Sequence, residues 1–368
     1  MSSRFKAAFR RMRRYAYALY NLNKNRLLGR SFVPPPYTRL FIEPVSFCNL
    51  ACKFCTYPKN LHPRTVMDDD LFQKGIDQAC EIGIEEIALT PINGDVFMDR
   101  NIVDRMMYIE CSPIKSHVFY TNFIGADAGM IESLFAMKKC RYMEISIYGH
   151  DLESFRRITG RGEVQYQRLV DNLRTLEKHL PRKRDGFEIV IAFRTYRSFR
   201  LNAAPENELL EIVRRLGEAG VGVGVSSNAD NWGGDITRDD VADTQMDLTE
   251  GRHLYRKGPC GLPFDSIQVT AAGEVNACAC RDPRGTLTIG DLQSQPLADI
   301  LSPDNEKWSR LIRGQDAGRF NEVCASCGFY QSIHDHRRAN AFGEHGTITK
   351  DEFISLMKSP RDQTSETG

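Results

Sequence analysis

Between residues 39 and 227, short runs rich in Val, Ile and Phe alternate with longer stretches in which apolar residues recur every three or four positions. The first pattern suits strands buried on both faces, and the second suits helices with one apolar stripe. Together they predict six strands, at 39–45, 86–91, 117–121, 142–147, 187–193 and 221–226. Helices are expected near 68–82, 100–109, 127–138, 163–179 and 205–219, and Asp68, Asp127 and Pro205 stand where an N-cap or first-turn residue belongs. Strands that alternate with helices pair in parallel through crossover connections. Six such units are too few to close an eight-stranded barrel and enough for an open one. The fold class is therefore α/β, a partial (β/α)6 TIM-like barrel, and the loops after the strands' C-terminal ends are where chemistry should lie.

Past residue 227 the rhythm stops. Two short strands, 266–270 and 274–278, flank Ala271-Ala272-Gly273, a hairpin signal, and a helix follows near 304–312. The chain divides into a basic helical arm (1–37), the partial barrel (38–230), a small α+β domain (231–335) and a polar tail (336–368). The composition of the final stretch, Asp362-Gln363-Thr364-Ser365-Glu366-Thr367-Gly368, predicts disorder.

Of the 368 residues, 41% are hydrophobic and 26% charged, the balance of an ordinary globular chain. No run reaches the roughly 18 apolar residues of a membrane-spanning helix. The formal charge of +1 hides an asymmetry. Residues 1–30 carry nine Lys or Arg and no acid, so the remainder, with 40 basic and 48 acidic residues, stands at −8. A mildly acidic body excludes a broad nucleic-acid face. In the arm, Phe5, Phe9, Met12, Ala16 and Leu19 recur at helical spacing among the arginines. That suits peripheral contact of residues 1–30 with an anionic membrane, or a helix packed across the acidic body, which is the favoured reading. With no secretory signal before Arg30, the eleven cysteines point to a reducing, cytoplasmic compartment, where spaced cysteines bind metal or do chemistry.

The sharpest feature is Cys48-Asn49-Leu50-Ala51-Cys52-Lys53-Phe54-Cys55, directly after the first strand. Three thiolates within eight residues can converge on one iron-sulfur cluster and leave one iron of a cubane open; a zinc knuckle is the alternative. A second set, Cys260, Cys278, Cys324 and Cys327, fits structural zinc or a fully ligated cluster. Cys280 is an extra thiol, expected to be inert, with an alternative ligand or a substrate-facing group as the other readings, and Cys80, Cys111 and Cys140 receive no role.

The CxxxCxxC loop with Phe54 before its last cysteine resembles the signature of the radical S-adenosylmethionine (SAM) enzymes. The resemblance implies a 4Fe-4S cluster on Cys48, Cys52 and Cys55 whose open iron chelates SAM, reductive cleavage of SAM to a 5′-deoxyadenosyl radical, and hydrogen abstraction from a substrate carbon. It also implies SAM contacts. Asn93-Gly94-Asp95 stands where the family has Gly-Gly-Glu, Gly94 being the position where a side chain would keep SAM away. Thr121-Asn122 resembles the Thr-Asn-Gly turn, Ser146 matches a SAM-binding serine, and Arg157, rather than Arg161, matches an arginine that pairs with the SAM carboxylate. The second cysteine set, with Asn231-Trp232-Gly233-Gly234 and Ile289-Gly290-Asp291-Leu292, resembles the SPASM domain or its shortened form, Twitch. No cysteine follows Cys327, so one auxiliary 4Fe-4S cluster is implied.

The implied activity is a radical SAM oxidoreductase in which the auxiliary cluster assists net oxidation, supplied by an electron donor such as flavodoxin or ferredoxin. Only about 38 residues precede the first strand, so no module for a leader peptide is expected and a sugar-like small molecule is favoured. A peptide-modifying maturase and a non-enzymatic zinc-binding scaffold are the alternatives.

Overall fold

The computed structural model describes residues 3–203, 207–250 and 256–358. A long helix, α1 (Ser3–Leu27), precedes the alternating part. That part runs β1 (Arg39–Ile42), α2 (Asp69–Glu81), β2 (Glu86–Leu89), α3 (Ile102–Cys111), β3 (Ser116–Thr121), α4 (Ala128–Ala136) and β4 (Cys140–Tyr148). It continues through α5 (Leu152–Thr159), α6 (Glu163–His179), β5 (Glu188–Arg194), α7 (Glu208–Glu218) and β6 (Gly222–Ser226). All six expected strands and all five expected helices are present. Two of the three anticipated N-terminal residues cap their helices: Asp68 accepts from the amides of Asp70 and Leu71, and Asp127 from that of Met130, whereas Pro205 lies outside the described residues and Asn207 caps α7. The helix α5 was not anticipated from its apolar spacing, and a capping box on Asp151 and Ser154 begins it.

Beyond the barrel lie β7 (Asn228–Asp230), β8 (Asp247–Thr249), α8 (Leu262–Asp265), β9 (Gln268–Val269), β10 (Glu274–Asn276), β11 (Thr288–Asp291), α9 (Leu297–Ile300), α10 (Glu306–Asp316), α11 (Glu322–Ser326) and α12 (Lys350–Lys358). The hairpin expected around Ala271-Ala272-Gly273 is β9–β10.

The strands β1 to β6 pair in parallel and in chain order. The sheet does not end with them. On the far side of β1, β9 pairs in parallel, and β10 and β11 follow antiparallel, giving one nine-stranded sheet. An open barrel leaves the edge of β1 uncovered, and the small C-terminal part, expected as a separate unit, supplies that cover. It also enters the barrel: Ala279 packs with Phe41, Ala88 and Val118, and Tyr142 and Cys280 lie against this cluster.

One carboxylate stitches the two parts together. Glu43, immediately after β1, accepts from the amide of Ile92 at 3.0 Å and from that of Ala271 at 3.2 Å. Burial, only partly offset by these bonds, raises its pKa from 4.5 to about 7. The folded chain therefore holds a proton there that the unfolded chain releases near pH 4.5. The stability this contributes is complete below that pH and is lost as pH rises towards 7. Between pH 5 and 7.5 the parent should lose about 2 kcal/mol more unfolding free energy in urea than Glu43→Gln, which has no group to titrate there. Equal losses in the two chains would refute this.

Residues 336–358, expected as part of a polar tail, are instead packed. Ile348 bridges to Val33, and Phe353 is buried against Phe264 at 5.2 Å between ring centroids. Polar composition masked the few apolar anchors of this segment. The stretch Asp362 to Gly368 lies outside the described residues. His334 is buried, and its Nδ1 lies 2.7 Å from the Arg30 carbonyl.

Candidate active site

A cavity of about 410 Å³ opens at the C-terminal ends of the barrel strands, a size usual for small-molecule sites. Cys48, Cys52 and Cys55 all line it. Their loop is held from both sides. The amides of Ala51 and Lys53 donate to the carbonyls of Thr159 and Ile158 at the end of α5, and Arg161 Nε donates to the Asn49 carbonyl at 2.8 Å. Cys48 Sγ accepts from the Leu50 amide and from Asn122 Nδ2, and Cys55 Sγ accepts from the Tyr57 amide, each at 3.4 Å.

Burial pushes all three thiols up, and the charges of the neighbouring sulfurs add to the effect on Cys48 and Cys52. Thiolates there need positive charge close by, and iron held by the three sulfurs would supply it. Among the described residues, no group of three or more His, Cys, Asp or Glu is placed to hold a single metal ion. Thiols that line one space fit a multi-iron cluster, whose ligands attach at separate corners.

The residues assigned to SAM by resemblance separate into two groups. Phe54, Gly94, Asp95, Asn122 and Ser146 line the cavity. Phe54 packs on Tyr148 with ring centroids 5.0 Å apart. A Cβ on Gly94 would collide with the Val45 carbonyl and meet that of Phe47 at 3.0 Å, so glycine is needed to seat this turn beneath the cluster loop. The oxygens of Asp95 are already engaged: they accept from Thr121 Oγ1 at 3.0 Å, the Asn122 amide at 2.6 Å and the Phe97 amide at 3.1 Å. Burial raises the Asp95 pKa to about 6.

Arg157 lies elsewhere. It pairs with Glu153 at 2.8 Å on the outer face of α5 and does not line the cavity. Two arginines do line it, Arg281 and Arg194, and Arg194 at the end of β5 lies near Cys52, Cys55 and Tyr148. The rule that useful residues follow strand ends points to Arg194, whereas the motif pointed to Arg157.

Cys260, Cys278, Cys324 and Cys327 line a second, much smaller void together with Arg281, Gln315 and Tyr330. Fully buried Gln315 ties two of these cysteines: its Oε1 accepts from the Cys260 amide at 2.8 Å, and its Nε2 donates to Cys324 Sγ at 3.4 Å. Cys327 Sγ accepts from the Phe329 amide at 3.2 Å. Burial pushes Cys324 and Cys327 up to about 12. The Asn231-Trp232-Gly233-Gly234 turn lies flat against α11, since a Cβ on Gly234 would meet that of Ser326 at 2.9 Å. From this turn Trp232 Nε1 donates to the Phe54 carbonyl at 2.9 Å, linking the two cysteine sets.

Cys280, expected to be inert, lines the barrel cavity. Its neighbour Arg281 lines both the cavity and the second void and pairs with Asp230 at 2.7 Å. Cys80, Cys111 and Cys140 line neither. Arg194, Arg281 and Gln315 were not legible from the cysteine spacing.

Family models match the chain at two places: the radical SAM superfamily over residues 42–195 and the SPASM iron-sulfur cluster-binding domain over residues 260–328. These domains imply a 4Fe-4S cluster with SAM in the barrel and auxiliary iron-sulfur in the C-terminal part. No curated protein matches. Among solved structures, SuiB of Streptococcus suis bound to the precursor peptide SuiA is similar, with a TM-score of 0.55 and 17% identity over 87% of this chain and 74% of that one. BtrN in complex with AdoMet and 2-DOIA is similar too, with a TM-score of 0.52 and 14% identity over 84% of this chain and 98% of BtrN. At such identities the likeness speaks for the fold.

Proposed function

We propose that this chain, which belongs to the radical SAM superfamily and carries a C-terminal SPASM domain, is an oxidoreductase acting on a small polar molecule. The cluster held by Cys48, Cys52 and Cys55 would supply one electron to the SAM sulfonium, releasing methionine and a 5′-deoxyadenosyl radical that takes a hydrogen atom from a substrate carbon. Phe54, Gly94, Asn122 and Ser146 would line the SAM site. Asp95 would hold Thr121 and Asn122 in place, and Arg194 would pair with the SAM carboxylate. Glu144, which lines the cavity and accepts from Tyr142 at 3.0 Å, would receive the substrate's proton. The auxiliary cluster on Cys260, Cys278, Cys324 and Cys327 would take up the remaining electron, completing a two-electron oxidation.

The observation that carries this reading is the shared wall. Arg281 borders both the cavity of the first three thiols and the void of the other four, and the segments from Cys278 to Arg281 and from Cys327 to Tyr330 each run from one to the other. The polar lining of Thr90, Tyr120, Glu144 and Asp230 suits a hydroxylated small molecule.

The test is anaerobic incubation of the reconstituted chain with SAM and dithionite. Methionine and 5′-deoxyadenosine should appear in equal amounts. Arg194→Leu should weaken SAM binding about thirtyfold, the worth of a lost charged hydrogen bond, and Arg157→Leu should leave it within about twofold. A colourless protein with zinc and no sulfide would overturn the proposal.

A further inference from the structure

The helix α1 has two faces of opposite character. Tyr15, Ala18, Asn21, Leu22 and Asn25 share the side turned towards the body. Leu22 and Asn25 are buried there, and Asn25 Nδ2 donates to the His334 carbonyl at 3.1 Å. At 100° per residue, Phe9, Met12, Ala16, Tyr20 and Leu27 centre about 160° round the axis from that side. Their exposures agree: Phe9 54%, Met12 62%, Tyr20 62% and Leu27 87%. The apolar stripe of the arm thus points away from the protein, and the favoured expectation of a helix laid across the acidic body fails for this face. Large apolar side chains left in water along one line mark an interaction surface.

Charge selects the partner. The 25 residues of α1 hold eight Lys or Arg and no acid. The occupant must therefore offer both an apolar layer and negative charge. A second copy of this chain would bring an equally basic helix against the stripe, and the repulsion argues against it. No described helix is long and apolar enough to cross a membrane, so α1 would lie on a bilayer rather than through it.

We propose that α1 seats this protein on an anionic lipid bilayer, with the stripe of Phe9, Met12, Tyr20 and Leu27 in the headgroup boundary and exposed Arg13 and Lys24 beside it against lipid phosphates. This inference is independent of the chemistry proposed for the barrel.

The test is sedimentation of the full, anaerobically reconstituted chain with vesicles of phosphatidylcholine containing about 30% phosphatidylglycerol. The parent should pellet with them, and bind at least about tenfold more weakly to pure phosphatidylcholine or in about 0.5 M salt. Phe9→Glu combined with Met12→Glu should weaken binding at least about tenfold while iron content and SAM cleavage stay unchanged. Three results would overturn the proposal: no binding to anionic vesicles, equal binding of the variant, or a lipid-free parent dimer that the variant converts to a monomer. The last would assign the stripe to a second copy.

Discussion

A Cys52→Ala chain should form at least about a thousandfold less 5′-deoxyadenosine from SAM and dithionite than the parent, on the order of 4 kcal/mol in the barrier. Cys52 is the middle thiol of its loop, and both neighbouring sulfurs bear on its charge. Its backbone carbonyl accepts from the Cys55 amide at 3.0 Å, which winds the loop around this position. Removing the sulfur leaves Cys48 and Cys55 with their amide donors intact and one corner of the cluster without a ligand. Packing alone cannot mimic this result. Cys140, on β4, is as deeply buried and lines neither site. Cys140→Ala should cost about 1 kcal/mol of stability, the scale of one lost buried heavy atom, and leave SAM cleavage within about twofold. Similar activity losses in the two variants would remove Cys52 from its proposed role.

What the sequence made legible follows from which physical signals are local. Periodicity found the barrel because each strand must bury both faces and each helix one, a demand written within ten residues of itself. The cysteine sets were legible because metal ligation needs particular atoms at short spacing. Contacts between distant segments left no such trace. Nothing near Glu43 announces that its partners are the amides of Ile92 and Ala271, or that a hairpin more than 200 residues later joins the sheet beside β1. Gln315 sits in an ordinary amphipathic helix and shows its tie to Cys260 and Cys324 only in three dimensions. The exchange of Arg157 for Arg194 has a similar cause. The motif around Arg157 forms a helix whose arginine finds Glu153 one turn away, and the strand that carries Arg194 offers its side chain to the cavity by alternation. The arm is the opposite case: the sequence displayed the amphipathic stripe, and the fold decides which face is left uncovered.

Cys327→Ala should separate the two metal sites. The reconstituted parent should hold about eight iron and the variant about four, because the auxiliary cluster's vacated corner, unlike the open iron of the first cluster, has no SAM to occupy it. SAM cleavage should persist within a fewfold, since Cys48, Cys52 and Cys55 lie on a loop that α5, Asn122 and Arg161 hold from the other side. Turnover to oxidised product should vanish, because the electron left on the substrate then has no acceptor beyond the Cys278 to Arg281 wall. Gln315 sharpens the comparison. It holds the Cys260 amide and Cys324 Sγ but supplies no ligand, so Gln315→Leu should keep about eight iron and shift the reduction potential of one cluster, through the lost hydrogen bond to sulfur. A Cys327→Ala chain that retained full iron, or that lost SAM cleavage together with it, would mean that the two cysteine sets do not serve separate clusters.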